Sequence, residues 1–114
     1  KGLLQFQAMR STMFGLEMHL ASFHKLIKEF EPQIVVADPV GSLLHVGTRT
    51  DATAMLTRLI DSLKLHNITA FLTNLNADGE PLERTDVDIS SLVDTWIVLR
   101  DMEAGGERNR ILHV

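Results

Sequence analysis

Asp38 follows four apolar residues, Ile34, Val35, Val36 and Ala37, and precedes Pro39. A carboxylate at the end of a buried strand is held rigidly, and in nucleoside triphosphatases such a group holds Mg²⁺, usually through the ion's water shell. Buried strands also end in Asp for turn or capping reasons, so spacing leaves both readings open. The phosphate-gripping motif G-x-x-x-x-G-K followed by Ser or Thr is absent from the sequence. A second apolar run, residues 68–72, closes on Thr73 and Asn74. Further on, Arg108 and Arg110 flank Asn109, so on a strand both point to one side, toward an anion, a neighbouring subunit or water. Ser90 and Ser91 follow Asp86 and Asp88, a pattern that suits a short helix cap or a pair of phosphoacceptors.

The histidines have a structural reading first. His19 and His24 are five residues apart and do not share a helix face as paired metal ligands would. No G-x-S-x-G elbow supports a nucleophilic triad.

These residues need elements to position them. Leu3, Leu4 and Phe6 form a short strand candidate, with Ser11 and Thr12 as a helix-starting cap. Leu16, Leu20, Phe23, Ile27 and Phe30 then recur at spacings of four and three, one stripe of a helix that Pro32 ends. The β-branched run at residues 34–37 predicts a strand covered on both faces. Asp51 is the expected cap of a second helix that turns Met55, Leu56, Leu59, Ile60 and Leu63 inward, with Asn67 as the left-handed residue past its end. The order strand, helix, strand, helix, strand predicts an α/β fold with a parallel sheet, whose ligands sit beyond the carboxyl ends of the strands, where Asp38, Thr73 and Asn74 fall. Residues 76–84, with the Asp78-Gly79 turn signal, predict an exposed loop. Residues 95–102 and 108–114, joined through Ala104, Gly105 and Gly106, predict an antiparallel hairpin added to the parallel sheet.

Composition bounds the answer. The 114 residues suit one small domain, and 45% hydrophobic with 23% charged residues is the balance of an ordinary globular chain. A formal net charge of -4 with dispersed basic residues gives no footprint for nucleic acid and no polybasic membrane patch. Absence of cysteine removes disulfides and thiolate metal sites, and no apolar run approaches the roughly 20 residues that span a bilayer. A cytoplasmic protein is the expectation.

The segments STMFGLEMHLASFHKLIKEF, PQIVVADPVGSLL, DATAMLTRLIDSLKLHNITAFLTNL and TDVDISSLVDTWIVLRDMEAGGERNRILHV resemble the KaiC and KaiC-like circadian clock proteins. The likeness covers essentially the whole chain, and its last segment is the most specific. It implies a RecA-type P-loop NTPase domain, commonly duplicated in one chain and assembled into a ring with ATP between subunits. In that setting Asp38 matches the Mg²⁺-associated (Walker B-like) position, and Thr73 and Asn74 match a sensor-like strand end facing the nucleotide. The resemblance also implies Ser/Thr autokinase activity: Ser90 and Ser91 fall on a phosphoacceptor pair, with Ser where the family's second acceptor is Thr, and Thr85 falls on a nearby threonine to which phosphate is passed. Arg108 and Arg110 become candidate interface residues.

It further implies that residues 1–114 are a fragment, the carboxyl-terminal half of one ATPase domain. The family's phosphate loop and catalytic glutamates would lie before Leu3, and its Lys-x-Arg element after ILHV. The longer protein would then take ATP and Mg²⁺, assemble with itself and engage clock or signalling partners, while the fragment alone would hold no cofactor and be inactive. Two rivals stand beside this reading. A receiver domain would use Asp38 as phosphoacceptor and Thr73 as switch hydroxyl, but LLQFQAMRS and TWIVLRDME supply neither the acidic pair nor the Lys it needs. A non-catalytic assembly module would use the sheet edge and the hairpin.

Overall fold

A computed structural model of the chain describes residues 2–75 and 90–114. The expected loop at residues 76–84 and the candidate Thr85 lie outside the described residues.

Helix α1 (Leu16–Phe30) starts one turn later than a Ser11 or Thr12 cap would place it. Ser11–Met13 instead form a short 3-10 turn, and Gly15 is the N-cap, its carbonyl accepting from the N–H groups of Met18 and His19. His19, 1% exposed, reaches back to the carbonyl of Ser11 at 2.8 Å. A carbonyl only accepts, so the His19 Nε2 carries the proton and donates. This tie anchors the 3-10 turn to the helix, and the Phe14 ring meets the His19 imidazole edge to face. The helix closes with Glu31 in the left-handed region, its N–H donating to Ile27 O at 2.8 Å, just before Pro32.

Helix α2 (Arg49–Leu65) is capped by Thr48, and Asp51 is its N3 partner rather than the cap. Thr48 Oγ1 accepts from the Asp51 N–H at 3.1 Å, and Asp51 Oδ2 accepts from the Thr48 N–H at 3.3 Å. The reciprocal arrangement satisfies two of the donors that a helix start leaves free, which a lone Asp51 cap could not do. At the other end Asn67 has φ 54°, and the Ile68 and Asn67 N–H groups donate to Leu63 O and Lys64 O. This is the Schellman closure expected from Asn at that position.

Strands β1 (Ile34–Ala37) and β2 (Thr69–Leu72) pair in parallel, with Ile34 opposite Thr69 and Ala37 opposite Leu72. One face of this pair carries Val35, Ala37 and Leu72 into the core with Leu16 and Leu20 of α1 and Ala52, Met55, Leu56, Leu59, Ile60 and Leu63 of α2. All five inward residues expected of α2 are buried. The other face is open among the described residues: Val36 is 65% exposed and its partner Phe71 54%. The expectation that residues 34–37 are covered on both faces is therefore corrected. Strand alternation buries only one side when helices pack on one side.

Two further corrections concern sheet extent. Leu3, Leu4 and Phe6 form no strand and are exposed, because a strand needs a ladder partner and no described segment pairs with them. The hairpin of β3 (Val98–Ala104) and β4 (Glu107–His113) forms its own two-stranded sheet instead of extending the parallel pair. Its first strand begins three residues later than the expected start at residue 95. Gly105 and Gly106 have φ of 64° and 82°, the pair of positive values that a two-residue hairpin loop requires. Leu92 and Val93 pack on the core, and Lys64 Nζ donates to Asp94 Oδ1 at 2.8 Å, fastening the approach to the hairpin onto α2. The architecture is α/β, the parallel-sheet-with-helices arrangement of a partial RecA-like fold plus an antiparallel hairpin.

Candidate functional site

The parallel register that sets Ala37 beside Leu72 carries the chain into Asp38 on one strand and Thr73 on the other. The Thr73 N–H donates to Ala37 O at 3.0 Å, and the Val40 N–H returns to Thr73 O at 2.9 Å. These bonds staple the turn after β1, a short 3-10 helix at Val40–His45, to the end of β2. Val40 and Leu43 root that turn in the core. Both strand ends are thereby held in one place, and the side chains they carry meet: Thr73 Oγ1–H donates to Asp38 Oδ1.

Asp38 and Thr73 are both exposed. Next to them Asn74 is half-buried, and its Nδ2 is buried with no acceptor. The polar set is all oxygen on the Asp38 and Thr73 side and one uncommitted amide NH2 on the Asn74 side. Hard cations such as Mg²⁺ take oxygen ligands and keep most of their water, so an exposed carboxylate with an adjoining hydroxyl suits them. An orphaned amide donor suits a phosphate oxygen, an acceptor. The residues present thus suit a hydrated divalent cation and one phosphate oxygen. Among the described residues no three His, Asp or Glu side chains converge as a direct metal cage.

A cleft of about 600 Å³ runs from Asp38 and Ser42 past His19 to apolar walls at Phe23, Ile27 and Phe30.

The other candidates lie elsewhere. Ser90 and Ser91 begin the short 3-10 turn Ser90–Leu92, in which Ser91 is exposed. Arg108 and Arg110 do share one side of β4, as their alternation predicts, and both turn to Asp101 on β3, with Arg108 Nη2 3.4 Å and Arg110 Nε 3.5 Å from its carboxylate. Asp101 went unnoticed in the sequence because only the hairpin register, which sets it opposite Arg110, reveals it. The structure unites Asp38, Thr73 and Asn74 and leaves the serines and the arginines on separate elements.

A carboxylate and polar residues at the adjoining carboxyl ends of parallel strands, packed on helices, make this an α/β protein with a polar cluster where open α/β sheets take their ligands. A family model described as "ATPase: KaiC" matches residues 5–114. Circadian clock protein KaiC2 of Synechocystis sp. (strain ATCC 27184 / PCC 6803 / Kazusa) is 44% identical over 98% of the chain. Circadian clock oscillator protein KaiC 1 of the same organism and Circadian clock oscillator protein KaiC of Rippkaea orientalis (strain PCC 8801 / RF-1) are each 30% identical over 100% of the chain. The chain belongs to the KaiC ATPase family. It spans 20% of the length of the first of these relatives and 22% of the other two. No helix among the described residues is long and apolar enough to cross a membrane.

Proposed function

We propose that this chain is the part of a KaiC-like ATPase domain that supplies the metal-facing side of a nucleotide site, in a longer protein that hydrolyses Mg-ATP. The observation that carries this reading is the union of Asp38, Thr73 and Asn74 at the ends of β1 and β2. Bound Mg²⁺ would supply charge neutralisation on the phosphates. Asp38 would hold the hydrated ion, Thr73 fixes the Asp38 carboxylate by donating to it, and Asn74 would give an amide N–H to an acceptor oxygen. Phosphoryl transfer depends on positioning and charge stabilisation, and with no G-x-x-x-x-G-K-S/T motif in residues 1–114 the chain by itself does not perform it.

The longer protein, in this reading, is a cytoplasmic ring of identical subunits with ATP between them, open to clock or signalling partners. It transfers phosphate to its own Ser90 or Ser91, with Thr85 as a further acceptor, and Arg108 and Arg110 lie at a subunit contact. Incubating the full-length protein with γ-labelled ATP, following phosphate release and mapping label by mass spectrometry tests both parts. Release without label on these three residues removes the autokinase role, and neither release nor nucleotide binding removes the ATPase reading.

The open apolar face at Ile34, Val36 and Phe71 favours a second reading, assembly through this sheet without catalysis. Light scattering over a concentration series separates it, since a strict monomer argues against assembly.

A further inference from the structure

Gly41 lies in the turn that follows Asp38, and its missing side chain leaves the space that Asn74 fills. A Cβ built on Gly41 would collide with the Asn74 amide oxygen, and Asn74 Cγ and Nδ2 lie 3.3 and 3.9 Å from the same point. The three nearest atoms therefore all belong to one side chain and none is backbone. Gly41 is not among the glycines with positive φ, so its backbone conformation is open to any L residue. What the chain needs at position 41 is space and not conformational freedom.

The turn has little room to retreat. The Val40 N–H is bonded to Thr73 O, Ser42 Oγ–H donates to Pro39 O at 2.9 Å, and Val40 and Leu43 are buried on either side of Gly41. A side chain at position 41 would thus be accommodated by rotation of Asn74, whose χ angles are soft compared with a hydrogen-bonded turn. On its Nδ2 side the Asn74 amide has no acceptor, so packing alone fixes it there.

We propose that Gly41 is a positioning residue for Asn74: its empty Cβ position seats the Asn74 amide against the turn that follows Asp38, where its enclosed and unpaired Nδ2 awaits an acceptor oxygen of the bound nucleotide. This rests on the nucleotide reading above and adds to it a residue that spacing and motif do not reveal.

The test is a mutant cycle in the full-length protein, with kcat/KM for Mg-ATP hydrolysis and the melting temperature measured for wild type, Gly41→Ala, Asn74→Ala, the double variant and Asp38→Asn. Gly41→Ala is expected to lower kcat/KM about tenfold, as Asn74→Ala does, the loss that one hydrogen bond to a ligand represents. It should not lower the melting temperature, and the double variant should be no worse than Asn74→Ala alone, because the two substitutions remove the same contact. Independent, multiplying effects, or a loss that follows a fall in melting temperature, would show a structural role and overturn the proposal. If Asp38→Asn and Asn74→Ala impair hydrolysis while Gly41→Ala does not, positioning fails and the nucleotide site stands. If Asp38→Asn and Asn74→Ala are both silent, the nucleotide reading fails and takes the positioning role with it.

Discussion

Asp38→Asn isolates charge from shape. The amide has nearly the volume of the carboxylate and keeps an oxygen for Thr73 Oγ1–H, so the bond between the strand ends survives and only one negative charge is lost. A Mg²⁺–water distance of about 2.1 Å followed by a hydrogen bond of about 2.7 Å puts the ion roughly 4 Å from the carboxylate. Because Asp38 is exposed, the water-like dielectric applies. A unit charge and a divalent ion at that distance then interact by about 2 kcal/mol, which salt screening lowers and desolvation by bound nucleotide raises. About 2 kcal/mol corresponds to roughly a thirtyfold loss of Mg²⁺ affinity. The assay is the Mg²⁺ dependence of hydrolysis by the full-length protein at saturating ATP, with the melting temperature followed in parallel. The midpoint should rise by about thirtyfold while melting moves by no more than about 2 °C. A midpoint that stays within about threefold of wild type would refute the assignment of Asp38 to the metal. A large drop in melting temperature would instead refute the claim that Asp38 contributes charge and not structure.

Three further substitutions test the elements that hold the site. Leu59→Ala, at a fully buried position between α2 and the sheet, should cost about 2–5 kcal/mol in urea unfolding, from lost burial plus the cavity left behind. Thr48→Ala removes the hydroxyl half of the capping box and should cost about 1 kcal/mol, most visibly as faster amide exchange in the first turn of α2. Asn67→Gly should be neutral or slightly stabilising and Asn67→Ala should cost about 1 kcal/mol, since Gly removes the Cβ from the left-handed region whereas Ala keeps it without the short polar side chain that lets Asn tolerate that region; equal effects on the unfolding midpoint would contradict the Schellman assignment.

Local signals in the sequence carried the elements that close on themselves. The α2 stripe, the Asn67 terminus and the Gly-Gly turn each follow from contacts within a few residues, and each is where periodicity or turn chemistry puts it. Signals that depend on partners did not carry. Leu3, Leu4 and Phe6 have strand composition, yet composition cannot provide a neighbouring ladder. The run at residues 34–37 reads as doubly buried because β-branched residues suit either face, whereas Val36 and Phe71 share a face that no described residue covers. Asp51 was misplaced by one role because Asp is good both as a cap and as the N3 member of a capping box, and only the reach of the Thr48 hydroxyl decides between them.

The site divides in the same way. Asp38, Thr73 and Asn74 are proposed by a rule that needs only strand ends and a parallel sheet, and the β1–β2 register sets them at adjoining strand ends. Gly41 and Asp101 are invisible to such a rule because each acts through contacts that only the folded register creates: Gly41 by the space it yields to Asn74, Asp101 by the two arginines it draws across the hairpin. The asymmetry between them is instructive. Asp101 acts at an exposed surface, where ion pairs are worth under about 1 kcal/mol, so its loss would free Arg108 and Arg110 with little effect on folding. Gly41 acts in a turn pinned by backbone hydrogen bonds, where even one methyl group forces a choice between moving the turn and moving Asn74. The side chain is the softer partner, so a change at position 41 reaches the strand ends without disturbing the elements that hold them.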